Sequence, residues 1–445
     1  MANVIKLCKG LDINLKGKAA AEVIAAKPSK VYGLVPDAFY GVKPKVVVKE
    51  GETVKAGDAL FVDKLHPEVK FASPVSGKVT LVERGERRKV LSIQVEADAE
   101  QQYADFGKGV PADGKKVLET LLNSGLFGYM MQRPYAVTAC PEDTPKGIFV
   151  SAISDMPLAA DFEFVVKGQE ADFQTGITAL SKIAKTYLGV GVGSVLENVK
   201  DAEVNVFDGK CPAGNVGVQV NHIDPVNKGE VVWTIGDPTV VLFIGRLFNT
   251  GKVDLRRTVA LCGSEVKNPA YVDMLVGEEL STLLSNSYDA QKSVRVINGN
   301  VLTGKPTTKE GFLGAHSSEI TVIPEGNDAD EMLGWILPRF NQFSVSRSYF
   351  SWLCGKKQYA LDARIKGGER HMIMSGEYDK VLPMDIYGEY LIKAIITGDI
   401  DRQEALGIYE VSPEDFALAE FVDSSKLELQ RIVREGLNIL RKENA

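Results

Sequence analysis

The 445-residue sequence predicts a multi-domain α/β chain: a small barrel over residues 1–105, a Rossmann-like α/β layer over 106–256, a β-grasp unit over 257–330 and a helical bundle over 331–445. Three observations carry this reading. Glycines punctuate short strands early in the chain, apolar strand-like runs alternate with a helical stretch in the middle, and capped amphipathic helices close it. One hydrophobic core stops growing well before this length, so several cores are required. An apolar fraction of 44% and a charged fraction of 25% are those of a folded globular chain and argue against long disordered tracts.

In the barrel, Gly51 and Gly57 fall where hairpin turns need positive φ, and Ala72-Ser73-Pro74-Val75-Ser76-Gly77-Lys78-Val79 enters a further strand through a turn. The spacing is similar to the flattened barrel-sandwich of biotinyl and lipoyl carrier domains, and Asp63-Lys64 echoes their modified Asp-Lys pair. Pairing residues 60–62 with 69–71 puts the hairpin tip near His66-Pro67, however, so Lys64 falls on the flank and the barrel reads as scaffold.

In the α/β layer a helix is expected over 117–126, buried strands over 147–152, 204–207 and 239–244, and a crossover helix over 171–185. Gly189, Gly191 and Gly193 follow an expected strand at 185–188, but they lack the G-x-G-x-x-G spacing that turns backbone toward a pyrophosphate; they read as a flexible loop. From Thr258 a strand at 259–263, a turn at Asn268-Pro269, a helix capped near Gly277 and a strand at 294–297 make the β-grasp (SLBB-like) unit. Beyond about Glu331 an aromatic, basic stretch (335–352) leads into helices. Ser412-Pro413-Glu414 is an N-cap with proline at the first helical position, and Leu429, Ile432, Val433, Leu437 and Leu440 form one apolar stripe.

Composition also excludes. A net charge of -7 gives no global attraction for a phosphate backbone, so nucleic acid is not an expected partner. Residues 1–10 carry charges where a signal peptide needs its apolar centre, so secretion is not expected. The longest apolar runs, such as 240–245, fall far short of the ~20 residues that span a bilayer, so membrane association is expected through a partner. Cys8, Cys140, Cys211, Cys262 and Cys354 are widely scattered, as are His66, His222, His316 and His371, and no short chelating pair exists. No metal site is therefore expected, and the cysteines read as isolated small hydrophobes in a reducing cytosol.

Phrases along nearly the whole chain resemble the NqrA family, which supplies one of the subunits of the sodium-translocating NADH:quinone reductases. They are Lys9-Gly10-Leu11-Asp12, Tyr40-Gly41-Val42-Lys43-Pro44, the segment from Asp63-Lys64 to Val79, Arg133-Pro134, Val206-Phe207-Asp208-Gly209 with Pro212-Ala213-Gly214, Phe343-Ser344-Val345-Ser346-Arg347-Ser348 and Tyr378 to Asp385. RnfC and the flavin-carrying subunit of respiratory complex I are more distantly similar. The resemblance implies a peripheral subunit on the cytoplasmic face of the bacterial inner membrane, within a six-subunit translocase that includes the membrane subunit NqrB. It implies a contribution to quinone reduction and to assembly, with no catalysis by the isolated chain. The distant relatives cradle flavin with a Gly-Gly-Ala-Gly-Phe-Pro loop, whereas residues 124–135 here carry bulky side chains. They hold iron–sulfur clusters with C-x-x-C-x-x-C runs, whereas no cysteine follows Pro383. NADH, flavins and iron–sulfur centres are thus expected only in partner subunits, with quinone as the ligand this chain could contact. The alternative is an NADH-oxidising flavoprotein of the RnfC and complex I type.

A quinone head needs apolar walls and one or two aimed donors. By resemblance, two loops would supply them: Phe39, Tyr40 and Gly41 with Lys43, and Arg133, Pro134 and Tyr135. A surface patch or an interface between subunits is the competing reading. His66 is a candidate proton donor to reduced quinone or a simply solvated tip residue. Arg339, Phe343, Arg347, Tyr349 and Trp352 read as a docking surface for membrane subunits, or as an internal domain seam. No catalytic residue is expected.

Overall fold

A computed structural model describes residues 3–327 and 339–444. Near the start of the chain, strands Val31–Leu34, Thr53–Val54, Gly77–Arg84 and Val90–Ala97 form one sheet, and Pro44–Val46, Ala59–Asp63 and Lys70–Ala72 form a second. Alternation sends Leu34, Leu60, Phe71, Val79, Ile93 and Val95 into the space between them, where all are buried. Phe61 pairs with Phe71 and Val62 with Lys70, so the hairpin turns at 64–68 and leaves Lys64 exposed on its flank.

The second unit is a seven-stranded sheet in the order Asn3–Lys6, Glu203–Asp208, Thr186–Gly191, Ile148–Ser151, Val232–Ile235, Met131–Arg133, Val137–Thr138. The first five strands are parallel, Met131–Arg133 runs antiparallel to them, and Val137–Thr138 pairs antiparallel to Met131–Arg133. Helices Gly114–Ser124, Glu170–Ile183, Val216–Ile223 and Thr239–Thr250 cover it. Two expectations fail. The run 239–244 is helical rather than a strand: Val240, Val241, Leu242, Phe243 and Ile244 are all fully buried, so the run shows no period that could separate helix from strand. The strand position beside Ile148–Ser151 belongs instead to Val232–Ile235. Nor do Gly189 and Gly191 form a loop; both lie in the strand Thr186–Gly191. A Cβ at Gly189 would meet the Gln219 carboxamide at 2.1 Å, so close packing, and not loop freedom, requires glycine there.

The third unit is a six-stranded sheet in the order Lys305–Thr307, Val294–Asn298, Glu319–Pro324, Arg256–Cys262, Ala270–Leu275, Ala20–Ile24, with a one-turn helix at Ser281–Leu284. The opening strands Asn3–Lys6 and Ala20–Ile24 therefore lie outside the barrel, as edge strands of the two neighbouring sheets. The last unit packs short helices around the helix Leu429–Glu443, which buries Leu429, Val433, Leu437 and Leu440 and half-buries Ile432. Ser412 and Asp415 form a capping box on the turn Pro413–Phe416.

Candidate functional site

The turn Pro36–Ala38 delivers two aromatic rings in opposite directions. Phe39 goes inward and packs on Phe71, Tyr129, His316 and Phe61 at ring distances of 4.4, 5.4, 5.7 and 6.1 Å. Tyr40 goes outward and is 40% exposed. Its carbonyl accepts the Thr138 amide at 2.8 Å, which fixes this loop to the edge of the seven-stranded sheet. Gly41, at φ +81°, sits where a Cβ would strike Val137 and Arg441. Lys43 is exposed, and its amide donates to the buried Asp63 carboxylate at 3.1 Å.

The second loop is anchored by Arg133, whose side chain is buried. Its guanidinium donates to Asp415 at 3.1 Å, Ser412 at 3.0 Å, Glu414 at 3.3 Å and the Glu410 carbonyl at 3.1 Å, so it pins the helical unit to the sheet. A cis peptide joins Arg133 to the buried Pro134. Tyr135 and Ala136 then adopt φ of +79° and +48°, a left-handed backbone that costs on the order of 1–3 kcal/mol per non-glycine residue unless the surroundings hold it. The hold comes from Arg434, which donates to the carbonyls of Tyr135 at 3.0 Å and Ala136 at 2.9 Å. The same guanidinium lies 4.5 Å from the centre of the Tyr40 ring, the Lys305 ammonium lies 5.0 Å from it, and Asn444 donates to the Tyr135 hydroxyl at 3.3 Å.

The structure thus brings Tyr40, Gly41 and Tyr135 to one seam among the barrel, the sheet edge and the last helix, while Phe39 and Arg133 turn away from it. Sequence patterns give no sign of Arg434, Lys305 or Asn444. Each is a polar residue with no local motif, and only the fold carries it to the seam. Chemically the seam sets two cations against one partly exposed aromatic ring, a combination suited to electron-rich oxygens. Two open cavities of about 450 and 510 Å³ lie elsewhere. The first is walled by Phe164, Lys167 and the ion-paired Arg246, Asp254 and Arg256, the second by Lys70, Asp105 and Phe106.

Two parts of the seven-stranded unit are closely packed with side chains. Residues 126–130 bury Leu126, Phe127, Tyr129 and Met130, and Phe127 meets Trp233 edge-on at 5.2 Å. Val232–Ile235 lies on the opposite side of Ile148–Ser151 from Thr186–Gly191, the strand that follows it in the chain, and ligands of open α/β sheets bind where strand order reverses in this way. Here Asp237 follows the second strand and pairs with the buried Arg257 of the six-stranded sheet, which also donates to the carbonyls of Ser317 at 2.6 Å and Ala315 at 3.3 Å. Burial pushes the neighbouring Glu319 carboxyl up to about 7 and the His316 imidazole down to about 4. The Glu319 carboxylate accepts the Ala160 amide at 3.3 Å.

Within 339–352, Phe343 tucks against Tyr359 and Phe421 at 5.7 and 6.0 Å, and Tyr349 is half-buried. Phe340 and Phe350 stack at 5.6 Å, the Arg347 guanidinium lies 5.5 Å from the Trp352 ring centre, and Trp352 and Leu353 are 53% and 62% exposed. Arg339 opens the described part of the stretch, at φ +37°. Trp335 lies outside the described residues. All five cysteines are free; Cys211 and Cys262 are buried, with their thiols pushed up by burial, whereas Cys8 and Cys354 are exposed. Cys140 is half-buried and faces His66, the candidate proton donor.

Comparison with known proteins adds three family matches and a set of full-length relatives. Residues 5–98 match the NqrA N-terminal barrel-sandwich hybrid domain, 112–253 the NqrA second alpha/beta domain and 258–309 the NQRA C-terminal domain. The chain is 35% identical to the NqrA component of the Na(+)-translocating NADH-quinone reductase of Serratia proteamaculans, over 99% of this chain and 100% of that protein. It is 33% identical to the same component from Yersinia pestis and 34% identical to that from Neisseria meningitidis over the same shares. A solved NAD+-reducing [NiFe]-hydrogenase aligns with 75% of this chain and 62% of its own at 12% identity and a TM-score of 0.34, too low to carry an argument.

Proposed function

Because the chain belongs to the NqrA family of the Na(+)-translocating NADH-quinone reductases, we propose that it serves the quinone step of that complex through the Tyr40–Tyr135 seam. In this reading the seven-stranded layer is Rossmann-like, the six-stranded sheet is a β-grasp unit, and the chain carries no flavin or iron–sulfur centre of its own. Tyr40 supplies an aromatic wall for a quinone ring. Arg434 and Lys305 supply positive charge toward its oxygens, and the Tyr135 hydroxyl supplies a donor. The observation that carries the reading is Arg434, which holds the strained Tyr135–Ala136 backbone and the Tyr40 ring at once. A strained turn maintained from a distant helix, beside an exposed aromatic ring, is the kind of pre-organised geometry that binding sites retain.

Electron transfer and sodium movement then belong to partner subunits, NqrB among them. Among the described residues no helix is long and apolar enough to cross a membrane. The chain would sit peripherally on the cytoplasmic face, docking through the exposed aromatic surface around Arg339, Phe343, Arg347, Tyr349 and Trp352. The flavoprotein alternative is disfavoured by the packed residues 126–130 and by the Arg257–Asp237 pair at the switch point.

Photo-crosslinking of the whole complex with an azido-quinone tests the proposal. Labelled peptides containing Tyr40 or Tyr135, competed away by unlabelled quinone, are expected. Labelling confined to other subunits would overturn it, and stoichiometric flavin in the purified chain would favour the alternative.

A further inference from the structure

We propose that His66, Cys140 and Glu142 form a binding site for a divalent cation of the zinc class, bridging the barrel and the second α/β domain. One ligand atom from each of the three lies within 4.8 Å of the others. His66 Nε2 is 3.8 Å from Cys140 Sγ, and His66 Nδ1 is 3.7 Å from Glu142 Oε1. Tetrahedral zinc, with bonds of ~2.0–2.3 Å, spaces its ligand atoms roughly 3.3–3.8 Å apart. An imidazole lends a metal only one of its two nitrogens, so the 4.8 Å envelope of the trio must contract by about 1 Å, a movement open to the Glu142 side chain, which is 76% exposed.

A second observation points to a ligand. His66 Nδ1 is buried yet has no hydrogen-bond partner, an unusual state for a ring nitrogen shielded from water. Both halves of the site are set by backbone bonds and by Gln132, not by the three side chains themselves. On the barrel side, the Val69 amide donates to the His66 carbonyl at 2.9 Å and the Leu65 amide to Asp63 at 3.2 Å, which fixes the hairpin tip. On the sheet side, Gln132 accepts the Cys140 amide at 2.7 Å and donates to Asp143 at 3.2 Å, which fixes the 140–143 loop. Gln132 is thus a positioning residue for the site, and it lies beside Arg133 in the same strand.

Imidazole, thiolate and carboxylate together suit zinc over magnesium or calcium, which take oxygen ligands. Binding exchanges one proton for the metal: the Cys140 S–H bond is lost, an S–metal bond forms, the proton leaves to solvent, and water completes the coordination. No redox change is involved. The chemical consequence is a staple between the hairpin tip and the sheet edge.

The test uses the full chain, stripped with a chelator and titrated with Zn(II) against a chromophoric competitor and separately with Co(II). One equivalent is expected, with a thiolate-to-cobalt charge-transfer band and tetrahedral visible bands. Cys140→Ser should abolish the charge-transfer band, and both Cys140→Ser and His66→Gln should weaken Zn(II) binding by more than the ~100-fold that loss of an outer-shell partner costs. Gln132→Ala should weaken it ~10–100-fold and keep the cobalt spectrum. Circular dichroism of the metal-free variants checks that each is folded. No stoichiometric binding, or an equivalent that survives in folded Cys140→Ser and His66→Gln, would overturn the proposal and assign any uptake to the exposed Cys8 and Cys354.

Discussion

Tyr40 and Trp352 are both exposed aromatic rings beneath an arginine, yet the protein builds their surroundings in opposite ways. The cations over Tyr40 arrive from residues 305 and 434, and its loop is bonded to a strand near residue 138. The cation over Trp352 comes from its own loop, and the stacked Phe340 and Phe350 are likewise local. The first arrangement exists only when the whole chain has folded. The second is close to self-contained. Similar composition therefore marks a seam in one place and a detachable surface in the other, and energetics should separate them.

The largest effect is expected from Arg133→Met. It strands the fully buried Asp415 without its cation and should cost ~3–5 kcal/mol in chemical denaturation. A loss below ~1 kcal/mol would mean that the seam is not anchored as described. Next, the buried carboxyl beside Asp237 and Arg257 should titrate. Glu319 has a folded value of about 7 against an ordinary 4.5, so the stability it contributes is complete below pH 4.5 and is lost as pH rises through 7. Glu319→Gln should therefore gain up to roughly 3 kcal/mol over the parent at pH 8 and almost nothing at pH 4, read from melting curves at both pH values. A difference that does not vary with pH would contradict the burial of this carboxyl.

Arg434→Gln should cost ~1–3 kcal/mol, because two carbonyls of a strained turn lose their donor. It should also reduce azido-quinone labelling at Tyr40, which a purely structural role would leave in proportion to folded protein. The smallest effect is Trp352→Ser, expected to change stability by less than ~0.5 kcal/mol while abolishing co-purification with the membrane subunits. Should the two variants exchange behaviour, the contrast between seam and surface fails.

Much of this architecture is legible in the sequence because it is local. The alternation through Phe61 and Phe71 sets the hairpin register, and Ser412 announces its cap. The run 239–244 misleads because residues buried on every side carry no periodic signal. At the site, the residue types in the two loops are legible, but the direction each side chain takes is not. Phe39 points into the core and Arg133 into a carboxylate cluster because long-range packing decides it. Arg434 and the His66–Cys140–Glu142 trio are invisible for the same reason: their partners are distant in sequence, and spacing rules see only neighbours.

The two edge strands at the start of the chain carry a consequence for how the protein is made. Asn3–Lys6 and Ala20–Ile24 leave the ribosome early, yet they pair with Glu203–Asp208 and Ala270–Leu275. At roughly 5–20 residues per second the second of these pairings waits on the order of 10–50 s for its partner to emerge. Neither of the later sheets can close its edge until those partners emerge, so segments translated well before their partners are among the last to be fastened.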